Sequence, residues 1–156
     1  MKITLLVVGK TTSTQIESLI QEYQKRLMHY IPFALHVIPE IKNTKALTPE
    51  QQKQAEGELI LRTITPNVDF VLLDEHGKEF RSIEFADYVQ KRMSSGRDVV
   101  FVVGGPYGFS EAVYQRANGK ISLSKMTFSH QMVRLFFVEQ LYRAMTIQRG
   151  EPYHHE

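Results

Sequence analysis

The sequence predicts a single α/β domain over residues 1–156, built on a mostly parallel sheet with helices on both faces. Three observations predict it. Strand-like and helix-like segments alternate from one end to the other. The runs Ile3–Val8 and Val99–Val103 are apolar and β-branched, as interior strands are. No linker, repeat or low-complexity stretch interrupts a chain whose 156 residues suit one domain.

Each element has its own signal. Ile3–Val8 stops at Gly9. Thr14–Met28 carries Ile16, Leu19, Ile20, Tyr23 and Leu27 at helical spacing. Phe33–Pro39 alternates Phe33, Leu35 and Val37 against Ala34, His36 and Ile38, a strand closed by Pro39. Thr48-Pro49-Glu50-Gln51 starts a helix that runs to about Thr63, with Thr as cap, Pro at the first position and Gln completing a capping box. Asp69–Asp74 reads as a buried strand, and Glu75-His76-Gly77-Lys78 as a turn. Ser82 caps a helix through Ser94, closed by Gly96. After Val99–Val103 come a short helix at Ser110–Ala117, a short strand at Lys120–Ser124 and a long helix at His130–Gln148.

Composition narrows the function. A chain 42% hydrophobic and 23% charged buries enough to stay ordered. No run approaches the roughly 20 apolar residues of a membrane span. The opening MKITLLVVGK reads as a strand, not a signal peptide. The absence of Cys removes disulfides, thiolate metal sites and thiol nucleophiles. The expected compartment is the cytoplasm. Net charge is only +2, but from Ala112 to Glu156 six Lys/Arg face three acids, a mildly basic third that suits either phosphate or ordinary solvent.

The last helix is apolar around most of its circumference, from Met132 to Ile147. A helix on a sheet needs one apolar stripe, so its other side must also be covered. A second copy of the chain, forming a homodimer, would cover it. Burial at the centre of the monomer is the alternative. Glu139 and Arg143, spaced i and i+4, can pair with each other.

Three strand ends are candidates for chemistry. Gly104-Gly105-Pro106-Tyr107-Gly108 follows the strongest strand, where glycine lets backbone approach a ligand. It is neither a dinucleotide fingerprint nor a phosphate loop. The loop Leu123-Ser124-Lys125-Met126-Thr127-Phe128 feeds the long helix and leads to His130. Leu73 ends the third strand. If the three converge, they enclose one pocket. A metal site is disfavoured, because no His-x-x-x-His or His–carboxylate cluster occurs. No Gly-x-Ser-x-Gly nucleophile elbow occurs either.

With these motifs in view, the opening MKITLLVVGK, the turn GGPYG, the run SLSKMTFSHQMVR and the ending VEQLYRAMTIQRGEPYH resemble one family across the whole chain. It is the ribosomal RNA large subunit methyltransferase H family, minimal enzymes of the SPOUT class. The resemblance implies a deep trefoil knot in the C-terminal part, against the general rarity of threaded chains, and a homodimer packed through the last helix. It implies S-adenosylmethionine as cofactor, held by Leu73, Gly104, Leu123, Ser124, Lys125, Met126, Thr127 and Phe128. It further implies methylation of N3 of a pseudouridine in helix 69 of 23S rRNA, on the large subunit or assembled ribosome.

The N3 proton must leave as the methyl arrives, so a base titrating near neutrality is useful. His154 is the first candidate and His130 the second; Tyr153 can stack on the target base. Arg134, Arg143 and Arg149 are candidates for phosphate contact. His155 stands where the family commonly has Arg or Lys, so its own phosphate contact is in question. A related knotted enzyme acting on transfer RNA, and a non-catalytic ribosome-associated binding protein, are the competing readings.

Overall fold

The computed structural model describes all of residues 1–156. Five strands form one sheet: β1 (Ile3–Val8), β2 (Phe33–Ile38), β3 (Asp69–Glu79), β4 (Val99–Val103) and β5 (Gly119–Ser122). Their order is β2-β1-β4-β3-β5, and every pairing is parallel. Five helices cover it: α1 (Thr14–Leu27), α2 (Pro49–Thr63), α3 (Ser82–Ser94), α4 (Glu111–Arg116) and α5 (Met132–Gln148), with a 3-10 turn at Thr44–Ala46. This is the α/β class the alternation predicts.

Side-chain alternation along the strands divides the core in two. Ile3, Leu5, Val7, Val71, Val99 and Phe101 face α1, α3 and α5, while Leu6, Phe70, Leu72 and Val102 face α2 and α4. Interior strands apolar on both faces are what a doubly covered parallel sheet requires. The edge strand β2 obeys its alternation loosely: Phe33 and Ile38 are buried, and His36 and Val37 are exposed.

The helix starts follow cap chemistry. Thr48 Oγ1 accepts from the Gln51 amide at 3.1 Å, and the Thr48 amide donates to Gln51 Oε1 at 2.9 Å, completing the capping box. Ser110 caps α4 through the Val113 amide. Ser82 does not cap α3. Arg81 takes that place, its amide donating to Glu84 Oε1 at 2.7 Å, and the Ser82 hydroxyl instead reaches Gln140 Oε1. α5 begins at Met132, two residues later than the apolar pattern suggests, with Ser129 Oγ receiving the Met132 amide.

Strand β3 runs past the expected turn. Leu73 and Lys78 both stand opposite Ile121 of β5, so residues 74–77 make a detour inside the strand. Gly77 permits it: a β-carbon there would lie 2.6–2.7 Å from the Ile121 backbone. Turn chemistry in the sequence marks the detour, but not the strand's resumption after it. Conversely, β5 ends at Ser122, two residues short of the expectation, because Leu123 and Ser124 turn into the loop.

The apolar girdle of α5 has a cause within the monomer. α5 is the middle helix of its layer, packed against both α1 and α3. Phe137, Val138, Leu141, Ala144 and Met145 are buried, with the Phe137 ring 4.9 Å from Phe101. No helix is long and apolar enough to cross a membrane.

Candidate functional site

The C-terminal ends of β3, β4 and β5 meet at one cavity of about 520 Å³. In open α/β sheets this is the edge where ligands bind, because the loops there diverge and leave backbone groups free. Leu73, Gly104, Leu123, Ser124, Met126, Thr127 and Phe128 all line it, as does His130. The three separated bends singled out in the sequence therefore share one wall-to-wall space. Lys125 does not line it. Its side chain is 85% exposed, 3.8 Å from Glu79.

The loop after β5 is shaped by its serines. Ser122 Oγ donates to Ser124 O at 2.8 Å, and Ser124 Oγ accepts the Met126 amide at 3.0 Å. The missing side chain at Gly104 serves packing: a β-carbon there would stand 3.0–3.1 Å from the Phe109 ring, itself part of the cavity wall.

Lys53 of α2, Tyr114 of α4, and Asp74, Glu75 and His76 of the β3 detour complete the wall. Sequence reasoning missed them. Asp74 adjoins Leu73 and was within reach; Lys53 and Tyr114 arrive only because α2 and α4 cover this sheet face. Burial would raise the Asp74 carboxyl, but the Tyr114 hydroxyl and the His76 amide, at 2.9 Å, bind it and hold it below the usual carboxylate range. The Tyr114 phenol is pushed well above its ordinary value by burial and by that same Asp74. Burial, with the charge of Arg134, pushes the His130 imidazole down, the Gly104 backbone opposing the shift. His130 thus faces the cavity as a neutral ring near pH 7.

Arg134, expected at an RNA surface, is only 2% exposed. Its guanidinium donates to Val8 O at 2.9 Å, Gly9 O at 2.8 Å and Thr11 Oγ1 at 3.1 Å, and its Nε donates to His130 O at 2.9 Å. It ties the end of β1 to the start of α5 and is not available to phosphate. The backbone carbonyls there need a forked donor, which outweighs solvation of the charge. Arg149 is exposed, its guanidinium 4.4 Å from the Tyr30 ring centroid. His155 is exposed.

The tail does not line the cavity of its own chain. Tyr153 lies edge-on to Tyr142 with centroids 4.7 Å apart; its hydroxyl donates to Glu139 Oε1 at 2.9 Å and is 3.1 Å from the Tyr23 hydroxyl. Arg143 pairs with Glu139 at 2.6 Å and also reaches His154 Nδ1 at 3.1 Å. A second hollow of about 420 Å³ adjoins the first: Ser122, Leu123 and Phe128 line both, and Glu139, the partner of Tyr153 and Arg143, is among the residues lining the second.

The family model described as "Predicted SPOUT methyltransferase" matches residues 1–154. The chain is 61% identical to the ribosomal RNA large subunit methyltransferase H of Bacteroides thetaiotaomicron and 61% identical to that of Parabacteroides distasonis, each over 100% of both chains. It is 58% identical to the protein of that name from Flavobacterium psychrophilum, again over 100% of both. Among solved structures it overlaps the SpoU methyltransferase AviRb from Streptomyces viridochromogenes, in complex with AdoMet, with a TM-score of 0.48 and 14% identity, over 96% of this chain and 58% of that one. On the match along almost its whole length and on these identities, the chain belongs to the SPOUT methyltransferases, and within them to the ribosomal RNA large subunit methyltransferase H family.

Proposed function

We propose that the protein is an S-adenosylmethionine-dependent methyltransferase that methylates N3 of a pseudouridine in helix 69 of 23S rRNA, on the ribosome and in the cytoplasm. The observation that carries this reading is the convergence of Leu73, Gly104 and the 123–128 loop on one cavity at the strand ends. The cavity fits the cofactor in kind. Leu73, Leu123 and Met126 offer an apolar slot for a flat adenine, and the turns on either side bring backbone donors and acceptors. When bound, S-adenosylmethionine supplies an electrophilic methyl group, so the chain itself needs to align and deprotonate the acceptor.

His130, neutral and in the wall, accepts the N3 proton in this reading. Because the tail does not line its own chain's cavity, Tyr153 and His154 act in this reading on the base held at the cavity of the second copy in the homodimer. Arg149 and His155 lie on exposed surface open to RNA phosphate. The C-terminal trefoil knot and the homodimer belong to the same reading. Met126, at the rim of the cavity, is 76% exposed and Phe136, beside it, is 39% exposed, and a second copy would cover the apolar surface they leave open.

The test is methyl transfer from labelled cofactor onto intact ribosomes and onto free RNA, with mass mapping of the modified nucleoside. Label on a large-subunit pseudouridine, and greater transfer to ribosomes, is the expected result. Label on transfer RNA, or none with ribosomes, overturns the reading.

A further inference from the structure

We propose that Arg143 is a positioning residue that fixes His154 as the Nε2–H tautomer, so that the tail imidazole donates a hydrogen bond to a carbonyl oxygen of the target base. The proposal rests on the reading above, in which the tail acts at the methyl-transfer site. It reverses the direction in which His154 would serve as a base.

The argument is one of donors and acceptors. Arg143 Nη1 lies 3.1 Å from His154 Nδ1. A guanidinium has only donors, so Nδ1 must present its lone pair. The proton of the neutral ring then sits on Nε2. A doubly protonated ring would set N–H against N–H at that distance. The other edge agrees: His154 Nε2 is 3.4 Å from Glu156 Oε1, a carboxylate that can only accept.

Arg143 is itself held fast. Its Nη2 donates to Glu139 Oε1 at 2.6 Å, and its guanidinium carbon lies 4.8 Å from the Tyr153 ring centroid. Glu139 in turn accepts from Tyr153 at 2.9 Å. The tautomer is therefore set by a braced network and not by a free rotor.

Such a donor has a use. When the imide N3–H gives its proton to His130, the electron pair left on N3 spreads onto the flanking carbonyl oxygens. N3 then forms its bond to the methyl carbon as the carbon–sulfur pair returns to sulfur. A neutral N–H aimed at a carbonyl oxygen stabilises the charge during this step and transfers no proton itself. Glu156, exposed at the chain end, is the partner the base carbonyl displaces.

The decisive measurement is the nitrogen-15 spectrum of labelled histidine in the full-length protein near pH 8. An unprotonated Nδ1 and a protonated Nε2 at His154 are expected; a proton on Nδ1 overturns the assignment. The second arm uses turnover. His154→Gln keeps an N–H donor but no basic nitrogen and should retain kcat within about tenfold, while His154→Ala should lose about 100-fold or more. Equal loss in both, with unchanged cofactor Kd, also overturns it. Absence of methyl transfer by the wild type would remove the functional reading, whereas the spectrum decides the tautomer independently.

Discussion

The Glu56 carboxyl of α2 lies against Gly105, so that a β-carbon on Gly105 would stand 2.6 Å from Oε2 and closer still to Oε1. The glycine turn beside the cavity is thus backed by a buried acid, 4% exposed, whose Oε1 has no hydrogen-bond partner. Gly105→Ala should force the turn off Glu56, with a stability loss of about 1–3 kcal/mol and weaker cofactor binding. Denaturant unfolding and calorimetric titration with S-adenosylmethionine check the two effects. A variant with unchanged cofactor affinity would show that the turn does not shape the cavity.

Glu56 also makes stability depend on pH. Burial pushes its carboxyl up from 4.5, and the like charge of Glu40 adds to the shift, while Gln52 opposes it. Lys53 does not neutralise it, being paired with Glu50 at 2.8 Å. The folded chain therefore holds a proton that the unfolded chain has released. The contribution is complete below pH 4.5 and is lost as pH rises through the folded value. Glu56→Gln should remove this loss, so its Tm advantage over the wild type should grow from pH 4.5 upward. A constant difference between the two across pH would contradict the assignment.

Two arginines that look alike in sequence should separate in experiment. Arg134→Ala leaves the carbonyls of Val8, Gly9 and His130 without their donor and should cost about 3 kcal/mol or more. Arg134→Lys should rescue little, since an ammonium lacks the fork. Arg149→Ala should leave stability nearly intact. If Arg149 meets phosphate, this variant should reduce the salt dependence of ribosome binding by about one counterion. Unfolding curves and binding at several salt concentrations distinguish them.

The site was legible where it depended on strand ends. Leu73, Gly104 and the 123–128 loop each follow an apolar run, and a parallel sheet places all such ends on one edge. What the sequence withheld was adjacency. Lys53 and Tyr114 reach the cavity from helices on the opposite sheet face to α5, which no periodicity reports. The detour of β3 hides behind turn residues, since Gly77 serves a close approach to Ile121 and not a reversal. Arg134 misled because charge defaults to solvent, although its apolar neighbours Val133 and Leu135 hinted at burial. For α5, the helix that carries Arg134, an apolar circumference signals cover on every side but does not name the cover, and α1 with α3 supplies much of it.

His130 ties the cavity to the proton balance of the fold. Its imidazole is pushed below 6.5 by burial and by the charge of Arg134. The unfolded chain therefore binds a proton that the folded chain refuses. Its contribution to stability is complete above pH 6.5 and is lost as pH falls through the folded value. Proton NMR of the ring should show His130 titrating below 6.5, and His130→Gln should flatten the loss of Tm on acidification below that pH. The same variant should leave folding at pH 8 intact and slow methyl transfer by about 100-fold or more, the contribution expected of a general base in the transfer step. A ring that titrates at or above 6.5 would contradict the downward shift, and wild-type turnover in His130→Gln would place the base elsewhere.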